Sequence, residues 1–371
     1  GMIQGWLQGF GLATSLQNFG SQYSRNVIAV IPGTVHPERI VVLGGHYDSI
    51  NQGGSGLPAP GADDNASGTS GVIEVARVLA GGGPFENTIR FVLFSAEEFG
   101  LVGSDYAAQV SQNLGENIQA MLNLDMISYR ASGDVRDVDF ATNNTTPSLV
   151  SLCRTLGSQY VPNWASTSGV LTAGTSDHQS YFTRGFPAVF PFEDLTQYCP
   201  WIHTASDSYP AATNDFALAK MIVQDLVATA ATLAVPACPT PTAYCTAAPS
   251  STGFPAVIGW SGTSSLLVNN LAFQAFSCPG SVNGLFLWGT GETQVPLGNG
   301  WRCIASNLVR FPIVHTDFFG DASYGVDLNA LPNGAVVVPG DVRNLQFWFR
   351  DNAAGGGRCN LTDALRLTIC P

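Results

Sequence analysis

From residue 39 to residue 234, short β-rich apolar runs alternate with helix-like segments, and this alternation restricts the possible folds more than any other property of the chain. RIVVLGG (39–45), TIRFVLFSA (88–96), QAMLNLDMIS (119–128) and GFPAVFPFE (185–193) read as buried strands. Between the first two, TSGVIEVARVLAG (69–81) places Val72, Val75, Ala76 and Leu79 at helical spacing. GLVGSDYAAQV (100–110) and FALAKMIVQDLVATAATLA (216–234) are also helix-like. Strands that are apolar along their whole length, rather than at every second residue, are covered on both faces. The expected fold is therefore α/β, with a mixed, largely parallel sheet covered by helices on both faces.

The pattern breaks at VPACPTPTAYCTAAPSSTGFP (235–255), whose Pro, Ser and Thr content reads as a linker. Beyond it, short strand-like runs are divided by Gly, Pro and Asn turns, which predicts a small C-terminal all-β sandwich over 256–371. The expected divisions are thus 1–235, 236–255 and 256–371. Eight cysteines without a CxxC pair, in a chain with only 11% charged residues, suggest disulfides and a secreted or periplasmic protein. Six lie at or after Cys238 and allow 15 pairings, while Cys153 and Cys199 are left to pair in the first domain. No signal peptide is read at its start, and the opening Gly-Met is expected to be either the scar of a removed leader or an intact short N-terminus. A net charge of −12 with scattered basic residues argues against nucleic acid or an anionic membrane as a partner. No apolar run approaches the length of a membrane span, and a monomer is expected.

Polar residues collect just after the buried runs. GGHYDS carries His46 and Asp48, GADDNASG carries Asp63 and Asp64, and FSAEEFG carries Glu97 and Glu98. NLDM carries Asp125, and IHTASD carries His203 and Asp207. In open α/β sheets, the C-terminal strand edge is where sites are built. Any one of these residues could be an N-cap, a surface charge or a structural histidine. Asp125 resists that reading, because an unpaired carboxylate inside MLNLDMI would be buried without compensation. Five such groups on one edge point to a shared site. With only five histidines in the chain, a metal there must lean on carboxylates, and two His with three or more carboxylates suit a pair of zinc ions.

Taken in order, GGHYDS, GADDNASG, FSAEEFGLVGS, NLDM and IHTASD resemble metallopeptidase family 28, over about residues 20–235. The resemblance implies the zinc aminopeptidase fold and two zinc ions. It implies Asp63 as the bridging carboxylate, His46 and Asp125 on one zinc, and Glu98 and His203 on the other. It further implies Glu97 as general base, Asp48 behind His46, and Asp64 and Asp177 as supporting residues. A cis peptide is expected between Asp63 and Asp64. The implied reaction is hydrolysis of the N-terminal peptide bond of peptides with a free N-terminus, through a metal-activated water. Glutaminyl cyclase, dipeptidase or carboxypeptidase chemistry, or a non-catalytic binding protein, are the alternatives on the same scaffold. One departure is LTAGTSDHQSYF, which lacks the Cys pair and Tyr of some bacterial aminopeptidases before Asp177. Tyr181 and Tyr198 are the candidates to replace that Tyr at the developing oxyanion.

Overall fold

The computed structural model describes residues 1–266 and 268–370, which divide into two units, Gly1–Ala237 and Cys238–Pro371. The first unit runs α1 (Met2–Gly9), β1 (Ala13–Gln17), β2 (Asn26–Ile31), β3 (His36–His46), α2 (Gly68–Gly82), β4 (Asn87–Phe94), α3 (Val102–Asn113) and β5 (Asn117–Asn123). It continues with β6 (Val138–Ala141), α4 (Pro147–Tyr160), β7 (Ser166–Gly169), α5 (His178–Phe182), β8 (Ala188–Val189), β9 (Pro191–Phe192) and α6 (Phe216–Ala234).

Its main sheet has the order β1-β2-β4-β3-β5-β8. β3 pairs in parallel with β4 and β5, and β5 with β8, while β1 and β2 form an antiparallel edge. Side chains alternate onto two faces, with one register shift in β5 between Ile118 and Ala120. On one, Val41, Leu43, Ile89, Phe91, Leu93, Ala120 and Leu122 pack with Val72, Val75, Ala76 and Leu79 of α2 and with Leu218, Ile222 and Leu226 of α6. On the other, Ile40, Val42, Val92, Phe94, Ile118 and Met121 meet Ala107 and Ala108 of α3 and Tyr181 of α5. Each fully buried large side chain contributes about 1.5–3 kcal/mol of transfer free energy. The mixed, mostly parallel, doubly covered sheet therefore matches the expectation.

β4 and β5 lie on opposite sides of β3, although both follow it in the chain. The loops leaving β3, β4 and β5 thus diverge around one crevice, the arrangement that opens a site beyond the strand ends. Two boundaries differ from the sequence reading. The strand expected over 119–128 stops at Asn123, and Met126 has φ 49°, so Asp125 sits in a bend. The strand expected over 185–193 splits, β8 joining the main sheet and β9 pairing with β6 in a small second sheet. α6 is also long and apolar enough by composition to cross a membrane, but it packs against α2, α4 and the sheet.

The second unit contains β10 (Thr242–Tyr244), β11 (Val257–Ser261), β12 (Ala272–Phe276), β13 (Asn283–Gly289), β14 (Gly291–Leu297), β15 (Gly300–Ala305), β16 (Val309–His315), β17 (Ala322–Gly325), β18 (Val342–Arg350) and β19 (Cys359–Thr368). A five-stranded sheet, β10-β19-β18-β13-β16, and a three-stranded sheet, β11-β12-β17, enclose one core. Phe273 from the smaller sheet meets Phe286, Trp288 and Phe311 from the larger at 5.1–6.0 Å between ring centres. The stretch expected as a linker contains β10, which pairs with β19, and two disulfides, Cys238–Cys370 and Cys245–Cys303, that tie it to the second unit. Cys153 and Cys199 do not pair; both are buried free thiols.

Candidate metal and catalytic site

His46 ends β3, and its ring is buried. Its neighbour Gly45 is obligatory, since a Cβ there would lie 2.3 Å from the Leu124 carbonyl oxygen. That close approach brings the loop after β5 beside the end of β3. Before α2, the turn Ala62–Ser67 loses helical geometry at Asp64 and Asn65, joined by a cis peptide. The Asn65 carboxamide then ties two segments together. Its Oδ1 accepts from the Gly68 and Met126 amides at 2.9 and 3.3 Å, and its Nδ2 donates to Leu124 O at 3.0 Å. One side chain thereby fixes the start of α2 and the bend carrying Asp125.

Two carboxylates brace the remaining loops from behind. Asp207 accepts from the amides of Asp63 and Asp64 at 2.8 and 3.1 Å. Asp48 accepts from the amides of Glu97 and Glu98 at 3.2 and 3.3 Å. His46 Nδ1 faces the Asp48 backbone carbonyl at 3.0 Å, whereas the Asp48 carboxylate is 3.7 Å away. Asp48 thus orients the imidazole chiefly through its main chain.

At the centre lies Asp64. Its Oδ1 is 3.3 Å from His46 Nε2, and its Oδ2 is 2.9 Å from His203 Nε2. Asp125 Oδ1 is 3.4 Å from His46 Nε2, and Glu98 Oε2 is 2.8 Å from His203 Nε2. Two donor groups result, His46–Asp64–Asp125 and Asp64–Glu98–His203, each with its ligand atoms within 4.8 Å of one another. Buried Glu98 Oε1 has no hydrogen-bond partner, and Asp125 Oδ1 has only the long contact with His46.

Burial alone would favour neutral imidazole at His46, but Asp125 and Asp64 overcome it and hold the ring well above its ordinary pKa. Hydrogen bonds to Asp64 and Glu98 raise His203 to about 10. Asp64 is buried too, yet the two histidines pull its carboxyl below the usual range. Burial raises Glu98 against the hydrogen bond from His203. Glu97 is pushed up to about 9 by burial and by the negative charge of Asp177, Asp125 and Glu98, with His46 opposing. Asp177 is fully buried and rises to about 7 for the same first reason.

The structure thus gathers His46, Asp64, Glu98, Asp125 and His203 at the centre, and it moves Asp63 out of that set. Asp63 turns the other way, and its Oδ1 accepts from the amide and hydroxyl of Ser128 at 3.1 and 2.8 Å. It also shares a hydrogen bond with the buried Glu193, and burial raises Asp63 to about 7. The positions expected of Asp63 and Asp64 relative to the histidines are exchanged, and the cis peptide falls one residue later, between Asp64 and Asn65. The physical reason is that adjacent side chains on the broken turn point to opposite sides, so a one-residue slip exchanges cleft and core. Glu193 was missed altogether; GFPAVFPFE contains it, but no spacing relates it to Asp63. Its two oxygens accept from the Tyr129 and Cys199 amides, each at 2.8 Å. Tyr181 is sealed among Phe94 and Phe186 rather than facing the cleft.

An α/β sheet whose strand ends converge two His–carboxylate groups on one shared aspartate defines the class, a protein with paired candidate metal sites at the sheet's C-terminal edge. The chain belongs to Peptidase family M28, whose sequence profile matches residues 26–226 and so includes every residue of the centre. Leucine aminopeptidase 1 of Fusarium vanettenii is 38% identical over 209 residues, which cover 53% of this chain and 52% of that protein. The chain therefore spans about half the length of the curated relatives it matches. Among solved structures, the LapA aminopeptidase of Legionella pneumophila aligns with a TM-score of 0.56 and 26% identity, covering 64% of this chain and 62% of that one. The glutaminyl cyclase of Porphyromonas gingivalis shares the fold, with a TM-score of 0.51, 20% identity, and coverage of 62% and 88%.

Proposed function

We propose that this chain is an exported aminopeptidase that holds two zinc ions and cleaves the N-terminal peptide bond of peptides with a free N-terminus. The observation that carries the reading is the pair of donor groups sharing Asp64. Imidazole nitrogen with carboxylate oxygen is a donor set suited to zinc. The buried Glu98 Oε1, which has no hydrogen-bond partner, and Asp125 Oδ1, which meets only His46, fit it, since such charge is costly to bury without a cation. His46, Asp64 and Asp125 would hold one ion, and Asp64, Glu98 and His203 the other. The bound ions supply Lewis acidity and a water of lowered pKa.

The protein's own part falls first to Glu97. Its amide is anchored by Asp48, beside the amide of the proposed ligand Glu98. Both lie in the turn after β4, where Glu98 Oε2 meets His203 Nε2 at 2.8 Å, so Glu98 would hold metal and Glu97 would face the reacting water. Glu97 takes up a proton and returns it to the leaving amine. A carboxyl held near 9 by burial and by surrounding negative charge becomes a better base at neutral pH once cations offset that charge. Asp177, buried behind His46 and Glu97, contributes part of that negative charge. The same surplus favours a substrate's α-ammonium group over a blocked N-terminus. Two disulfides in the second unit agree with export to an oxidising compartment.

Zinc analysis together with a panel of aminoacyl-anilides and N-blocked peptides tests the reading. Two zinc ions per chain and hydrolysis restricted to free N-termini are expected. Glu97→Gln should retain zinc and lose roughly 10²–10⁴-fold in turnover, the span of a general base. One zinc per chain would turn the assignment toward glutaminyl cyclase chemistry. Equal rates on blocked substrates would remove the aminopeptidase assignment.

A further inference from the structure

The two histidines of the centre are held differently at the nitrogen that faces away from it. His46 Nδ1 meets a backbone carbonyl, that of Asp48, at 3.0 Å. A carbonyl can only accept, so Nδ1 carries a proton and Nε2 is the nitrogen turned toward the centre. His203 comes from a separate loop, at φ 57°, and its Nδ1 meets the side-chain nitrogen Nε2 of Gln52 at 2.7 Å. The Gln52 main-chain amide also donates to the His203 carbonyl at 3.0 Å. On the other side of the ring, Nε2 is 2.8 Å from Glu98 and 2.9 Å from Asp64. Gln52 lies in the loop between His46 and Asp64, so the connection that spaces two members of the centre also clamps a third.

We infer that Gln52 is a positioning residue that sets the tautomer of His203 and so controls how well Nε2 can take a metal ion. The inference rests on the two-zinc reading above. An imidazole that binds metal through Nε2 must carry its proton on Nδ1, and that proton needs an acceptor. The carboxamide provides one through Oε1. In the structure the NH₂ of the carboxamide lies toward Nδ1, and a half-turn of the amide brings Oε1 to the same place. Glutamine can thus present either a donor or an acceptor to Nδ1, whereas the carbonyl facing His46 can only accept. Gln52 is solvent-exposed, so water competes for the same nitrogen and the effect falls on the His203 site alone.

The test is zinc affinity at both sites, measured by chelator competition on the full chain, with long-range proton–nitrogen spectra reading the His203 tautomer. Gln52→Leu should weaken the second zinc by about 10- to 100-fold and leave the first unchanged. Gln52→Glu, which can only accept, should restore the second zinc and hold the proton on Nδ1. Asn51→Ala controls for loop order, because Asn51 braces the same loop through Gly53 and Pro58 without touching His203. Unchanged second-site affinity in Gln52→Leu would overturn the inference, as would an equal loss in Asn51→Ala. Failure of the wild-type chain to take up a second zinc would overturn the two-zinc reading and this inference with it, a result distinct from either variant outcome.

Discussion

Asp225 lies on α6 where that helix packs against α4, fully buried, with neither carboxylate oxygen hydrogen-bonded. The nearby Cys153 thiol and Thr229 hydroxyl supply no charge, and burial pushes the Asp225 carboxyl up to about 8 from an ordinary 3.8. Between those two values the folded protein keeps the proton and the unfolded chain releases it. The group's contribution to stability is therefore whole below 3.8 and falls as pH rises, by about 1.4 kcal/mol per pH unit, until about 8. At pH 7 the accumulated cost approaches about 4 kcal/mol, as an upper bound before local relaxation. Asp225→Asn carries no charge in either state, so its stability relative to wild type should climb over this window and then level off. Hydrogen exchange of the α6 amides at pH 5, 7 and 9, with denaturant unfolding alongside, would measure the difference. Exchange free energies that run parallel in the two proteins across that range would refute the reasoning, because they would mean that Asp225 is ionised or paired in the native state.

Asp64→Asn should abolish binding of both zinc ions, while Asp63→Asn should keep the zinc stoichiometry and lose stability through the Ser128 and Glu193 contacts; zinc analysis of the two variants decides which aspartate is shared. Zinc uptake near pH 7 should release protons from His46, His203 and Glu97, all held above neutrality in the metal-free protein. Calorimetry in buffers of differing ionisation enthalpy would show this, and uptake without proton release would contradict the stated charge states. Zinc affinity should accordingly fall as pH drops, because protons compete for both imidazoles.

Much of the fold was readable because it depends on local chemistry. Runs such as TIRFVLF are apolar at successive residues, so they had to be covered on both faces, and Ile89, Phe91 and Leu93 do divide from Val92 and Phe94 in this way. The residues gathered at the site were readable for a related reason. Polar groups that closely follow buried strands must sit near the strand ends: His46 closes β3, and Glu97 and Glu98 lie in the turn after β4. The reading failed where a segment is decided by partners distant in sequence. Residues 236–255 look like a linker, yet two disulfides and the β10–β19 pairing draw them into the second unit. QAMLNLDMIS reads as one strand, but the bend at Asp125 is set by Asn65, about sixty residues earlier, bonding to Leu124 and Met126.

The sequence by itself determined the α/β order, the all-β second unit and which segments bring carboxylates and histidines to the strand ends, since periodicity and composition act over a few residues. Only the tertiary structure decided which member of the Asp63–Asp64 pair faces the histidines. Both are aspartates, both precede the same helix, and nothing local separates them. The choice is made by Asp207 gripping both amides, by Asn65 anchoring the turn to the Asp125 loop, and by Ser128 and Glu193 receiving the Asp63 side chain. These contacts exist only once the sheet has brought the loops together.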